Sequence, residues 1–164
     1  MALVQERETA AETCRAWRGA GERVVFTNGV FDILHPGHTS YLAEARGLGD
    51  RLVVGVNGDE SARRLEKGPG RPYNPVEDRM ALLAALEAVD LVVPFDEDTP
   101  LELIRLLRPD VLVKGGDYNE VTIVGADEVR SWGGEVHAVA LRPGYSTSDL
   151  VERIRAGDLS RGTD

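Results

Sequence analysis

The chain has 164 residues, one cysteine and a net charge of −9 from 28 acidic against 19 basic side chains; that is one domain's worth, too acidic for a general affinity for nucleic-acid backbone or an anionic membrane. Cys14 has no partner for an internal disulfide, no apolar run reaches transmembrane length, and MALVQERETA lacks the apolar stretch of a signal peptide. These features suit a soluble protein of a reducing cytoplasm, and a small anionic ligand stays open because local charge can oppose the total.

In chain order, residues from about Gln5 to Arg18 read as an amphipathic helix with Ala10, Cys14 and Trp17 on one face, stopped at Gly19-Ala20-Gly21. Val24-Val25-Phe26 is too short for a helix and is β-branched and aromatic, so it reads as a buried strand. The loop after it carries Asn28, Gly29, Asp32 and His35. Pro36 then suits the first position of a helix, where its missing N–H costs nothing. His38, Leu42 and Ala45 continue that helix at i, i+4 and i+7, which puts His35 at the N-cap and His38 in the first turn, on the same side of the helix end. Arg51 to Val56 is a second apolar strand, and Asn57-Gly58-Asp59 turns out of it. Residues 60 to 74 form a basic island, with Arg63, Arg64, Lys67 and Arg71 around Gly68-Pro69-Gly70.

Asn74-Pro75-Val76-Glu77 offers an N-cap, a proline at N1 and a glutamate at N3, predicting a helix to about Ala88. Strand Leu91 to Val93 follows, and Thr99-Pro100-Leu101-Glu102 repeats the start signal for a helix ending near Arg108. Strand Val111 to Val113 delivers Lys114-Gly115-Gly116-Asp117-Tyr118. A helix over about 121 to 132, a strand from Glu135 to Leu141, and a last helix with Leu150, Val151 and Ile154 on its inner side complete the domain at about residue 157. The tail over 158–164 is expected to fray.

Five strands alternating with helices predict a doubly wound α/β fold with a five-stranded parallel sheet, Rossmann-like in layout. Ligands of such sheets sit beyond the carboxyl ends of the strands. The loop at Asn28, the turn at Asn57, Lys114 and the Ser146-Thr147-Ser148 run all leave strands at that end, so one shared site is expected. There is no GxGxxG, no GxxxxGK[ST], no GxSxG and no Cys/His metal spacing, which weakens dinucleotide, P-loop, serine-hydrolase and caged-metal chemistry. A helix N-terminus carrying two imidazoles instead favours phosphate, since free N–H groups and the macrodipole attract anions and the rings add donors.

The segment GVFDILHPGH resembles the GxFDxxHxGH signature of the nucleotidyltransferase superfamily that includes the cytidylyltransferases and the sugar-phosphate and pantetheine-phosphate adenylyltransferases. YSTSDL is similar to the ISTT/ISST motif of that superfamily. The resemblance implies His35, His38 and Lys114 as catalytic groups. It implies nucleotide contacts from Thr27, Asn28, Gly29, Phe31, Gly37, His38, Lys114, Gly116, Asp117, Ser146, Thr147 and Ser148. Asp32, Asn57, Arg71 and Arg79 are the expected acceptor ligands, the two arginines on a flap. Arg142 lies where related enzymes carry a basic residue near the phosphates, at a different spacing to Gly144.

Within the superfamily, FTNGVFDILHPGH, VGVNGDES, DEDTPLELI, RPDVLVKGGDY and YSTSDLVERI look like the adenylyltransferase family of bacterial heptose biosynthesis, with Val30 where that family usually has Cys and Ser148 where Thr is commoner. This implies ATP and a sugar 1-phosphate as substrates, Mg²⁺ brought in with ATP rather than held by protein ligands, and a homodimer. It also implies the stand-alone form, because 164 residues leave no room for the fused sugar kinase of many bacteria. A glycerol 3-phosphate cytidylyltransferase and a nucleotide-binding module without catalysis remain the alternatives.

Overall fold

The structure is a computed structural model and describes residues 1–65, 68–116, 120 and 122–157. Its sheet has six parallel strands in the order β1-β4-β3-β2-β5-β6, formed by β1 (Leu3–Val4), β2 (Val24–Gly29), β3 (Arg51–Asn57), β4 (Leu91–Phe95), β5 (Val111–Gly115) and β6 (Glu135–Val139). The sixth strand, absent from the five-strand expectation, is β1. Two exposed residues carry no readable period, and they become a strand only by pairing with Leu91 and Val92.

The central strands β2 to β5 are largely apolar on both faces because helices cover both. On one side α1 (Arg7–Gly19), α5 (Leu101–Leu107) and α6 (Ala126–Ser131) pack on Val24, Phe26, Val53, Val93, Leu112 and Val136. On the other, α2 (Pro36–Arg46) and α4 (Val76–Ala84) cover Val25, Leu52, Val54, Val92 and Val113. Cys14 is fully buried in the first layer, and desolvation pushes its thiol up to about 11. Asp90 collects Arg46, Arg51 and the amide of Leu52, tying the amino ends of two strands together. No helix among the described residues is long and apolar enough to cross a membrane.

Several helix boundaries differ from those expected. Pro75 and Pro100, not the residues before them, are the N-caps of α4 and α5. Asn74 is drawn away from capping, because its side-chain amide donates to the Asp32 carbonyl at 2.6 Å. The helix expected over 121–132 is only Ala126–Ser131, begun by Gly125 at φ 88°. Residues Asp59–Arg64, expected as a turn and the start of the basic island, form a short helix, α3. The final helix, α7 (Thr147–Ala156), has no buried residue. The tail expected to fray, 158–164, lies outside the described residues.

The sheet order places the topological switch between β2 and β5. Their ladder registers only Val25 with Val111 and Phe26 with Leu112, so beyond Phe26 the two carboxyl ends are unpaired with each other. Asn28 and Lys114 flank that opening.

Candidate active site

The residues of the HPGH segment are brought together by backbone geometry before any side chain acts. Phe31 takes a left-handed φ of 51°, a conformation a bulky L-residue holds only when its surroundings enforce it. Here the enforcement is local: Arg79 donates to the Val30 carbonyl at 2.7 Å, and Asp32 accepts the amides of Tyr73 and Asn74 at 2.8 and 3.0 Å. The turned Phe31 ring then meets the His38 ring edge-on, with centroids 5.4 Å apart. A Cβ on Gly29 would strike that ring at 2.9 Å, so the glycine is needed for the close approach.

His35 is the N-cap residue of α2 and makes no side-chain cap, which leaves its ring to stack on His38 at 3.8 Å between centroids and 18° between planes. The pair therefore faces the helix mouth together. Gly37 lies beneath it, and a Cβ there would come within 3.0 Å of both the His35 ring and the Tyr145 side chain. Tyr145 in turn lies 6.2 Å from His35 and 5.1 Å from the Arg142 guanidinium, ring to ring and ring to cation. Among the described residues the buried Nδ1 of His35 has no hydrogen-bond partner, and desolvation holds the imidazole below its ordinary pKa.

Three cavities meet around this framework. One of about 560 Å³ is lined by His35, Pro36, Arg142, Tyr145, Ser146 and Arg153, and lies between the α2 and α7 starts. A smaller one of about 190 Å³ is lined by Phe31, Asp32, His38, Arg71, Lys114 and Thr147. The third, about 280 Å³, shares Asn28, Gly29, Val30 and Lys114 with the second and extends to Asn57, Asp98 and Thr99. Lys114 thus stands between two cavities, its Nζ 3.4 Å from the Asn28 side-chain oxygen.

The expected site residues distribute as follows. His35, His38, Phe31, Gly37 and Asn28 gather at the mouth with Lys114. Ser146 caps α7 through the Asp149 amide at 3.4 Å, Thr147 donates to the Ile33 carbonyl at 3.2 Å, and Ser148 accepts from Arg71 at 3.2 Å, so the segment carrying Arg71 touches the start of α7. Gly116 lies just past the end of β5, with its N–H on the Val139 carbonyl. Asn57 is buried against Ser61. Asp117 lies outside the described residues.

Two expectations are corrected. Thr27 is fully buried and bonded to the Tyr41 hydroxyl, because alternation along β2 turns it to the α2 layer, under the site rather than into it. Arg79 does not sit on a flap. It is 0 % exposed, ion-paired to Asp59 at 2.7 Å, and its other donors hold the carbonyls of Val30, Asn57 and Asn74. Tyr145, Asp98 and Thr99 line these cavities beside the expected residues; Tyr145 adjoins the Ser/Thr run, and Asp98 and Thr99 lie within the DEDTPLELI segment.

A Rossmann-like α/β domain with paired imidazoles and a lysine at its switch point is built as a nucleotide-phosphate site. The cytidylyltransferase-like family profile matches residues 26–153, and the chain belongs to that family of nucleotidyltransferases. Bifunctional protein HldE of Alcanivorax borkumensis is 62% identical over 141 residues, 86% of this chain and 29% of that protein. The HldE of Acidiphilium cryptum is 56% identical over 153 residues, 93% of this chain and 31% of that one. The chain therefore spans under a third of the length of these relatives. A crystal structure of the lipopolysaccharide core biosynthesis protein from Thermoplasma volcanium superposes with a TM-score of 0.62 at 32% identity, covering 74% of this chain and 98% of that one.

Proposed function

We propose that the chain transfers AMP from ATP to D-glycero-β-D-manno-heptose 1-phosphate, giving ADP-heptose and pyrophosphate. The observation that carries this reading is the His35–His38 stack at the α2 mouth with Lys114 across the opening. A phosphate oxygen of the sugar phosphate attacks the α-phosphorus and forms the new P–O bond. The bond from that phosphorus to the bridging oxygen breaks, and pyrophosphate leaves with its electron pair. Positioning and charge neutralisation suffice, so no protein nucleophile enters. His35 and His38 donate to the triphosphate as charge builds, Lys114 steadies the oxygens that change partners, and the α7 start with Ser146, Thr147 and Ser148 receives the outer phosphates. The choice of a heptose rests on the resemblance of the KGGDY segment and of Arg71-Pro72 with Asp78-Arg79, and on the HldE relatives.

Mg²⁺ belongs to this scheme as part of the substrate MgATP. The assignment of ATP and the heptose phosphate is tested by pyrophosphate release with Mg²⁺, each of the four triphosphates, and either the heptose phosphate or glycerol 3-phosphate. Release with ATP and the heptose phosphate is expected. Release only with CTP and glycerol 3-phosphate, or nucleotide binding without release under any pairing, contradicts it.

Proton linkage gives a second test. Burial holds the free His35 imidazole low, and a polyphosphate beside it raises it, so the complex carries more protons than the free protein between the two values. The His35 contribution to affinity accordingly weakens as pH rises through that window. Calorimetry of a non-cleavable ATP analogue in buffers of different ionisation heat is expected to show greater proton uptake by wild type than by His35→Asn. Equal uptake contradicts the assignment.

A further inference from the structure

We propose that the cavity at the carboxyl ends of β2, β3, β4 and β5 receives the hydroxylated body of the acceptor, and that Asp98 and Thr99 choose which sugar phosphate is accepted. This rests on the nucleotidyltransfer reading above. Two cavities flank the reactive centre, and their charges differ. The one between α2 and α7 gathers Arg142, Arg153 and His35 against one carboxylate, Asp149, among the described residues. That balance, with two helix N-termini, suits the multiply charged triphosphate. Among the described residues that line it, the one beside β3 and β4 has Lys114 as its cation and carries the Asp98 carboxylate, which Arg64 pairs. That lining holds less positive charge than the first cavity, and it suits a ligand with one phosphate at the Lys114 end and neutral hydroxyls beyond it.

The loop that carries Asp98 and Thr99 is braced from several sides. Arg7 grips Glu97 through two bonds of 2.6 and 3.0 Å, Arg64 holds Asp98 at 2.6 Å, and Ser61 donates to the Glu97 carbonyl at 2.9 Å. Asn57 secures Ser61 in turn, and the Gly58 amide bonds the Phe95 carbonyl. Arg64 engages one Asp98 oxygen, and the Thr99 hydroxyl bonds to nothing among the described residues. A carboxylate and a hydroxyl on a rigid loop are suited to vicinal diols, accepting and donating at fixed positions. Val30, Leu65, Pro100, Ile123 and Val124 supply the apolar lining that the C–H face of a sugar ring requires.

The test is steady-state kinetics of Asp98→Asn and Thr99→Val, with each substrate varied at saturation of the other and thermal unfolding as the folding control. A lost hydrogen bond to a sugar hydroxyl is expected to raise KM for heptose 1-phosphate by about tenfold, with KM for ATP moving less than about twofold on the same scale. A merely structural role would not single out one substrate. A rise in KM for ATP alone, an equal rise in both, or no change in either overturns the proposal. Absence of turnover by the wild-type chain with every sugar phosphate overturns the nucleotidyltransfer reading itself, and this inference with it.

Discussion

His35→Ala and His38→Ala are each expected to lower turnover by about 10²–10³-fold, the usual loss when one preorganised donor to a developing oxyanion is removed. The fold should survive. His35 caps α2 through its backbone conformation and makes no side-chain cap bond, so removing the ring leaves the helix start in place. The two losses are not expected to multiply, because the rings stack at 3.8 Å and each positions the other. His→Asn at either position retains one donor and should fall between wild type and alanine. Circular dichroism with single-turnover rates checks this, and a near-normal rate in either alanine variant removes that ring from the mechanism.

Arg79→Met is expected to be the most destabilising single change near the site. The guanidinium is fully buried, and removing it strands three carbonyls and leaves Asp59 without its cation. Breaking one partner of a buried pair costs about 3–5 kcal/mol. At roughly 2–4 °C per kcal/mol for a chain of this size, the midpoint of thermal unfolding should drop by about 10 °C. Arg79→Lys keeps the charge but cannot reach four acceptors from one planar fork, so it should recover only part of the loss. An unfolding midpoint within about 2 °C of wild type for Arg79→Met contradicts this account of the loop anchor.

The contrast between these residues shows what a linear sequence can reveal. His35 and His38 were legible because strand, loop and helix start are contiguous, so their spacing alone puts both rings at one mouth. Lys114 and Ser146 were legible because each follows a strand, and parallel sheets carry such ends to the same edge. Arg79 was not. Its partners come from three separate segments, at Val30, Asn57–Asp59 and Asn74, and a charged residue in the first turn of a helix ordinarily faces water. Thr27 was misplaced by its nearness to the motif, although strand alternation from Val25 already turned it inward. Asn74 looked like a cap until Asp32, distant in sequence, claimed it. The edge strand at Leu3 and Val4 and the braced loop at Asp98 both depend on pairings that no local pattern encodes.

The most direct measurement is a crystal structure of the protein with Mg²⁺ and an ATP analogue that cannot be cleaved between its α- and β-phosphates. The polyphosphate is expected at the start of α2, within hydrogen-bond reach of the His35 and His38 rings, with the α-phosphate facing Lys114. Polyphosphate bound away from that helix start, with the two rings still stacked on each other and making no contact to it, would contradict the account.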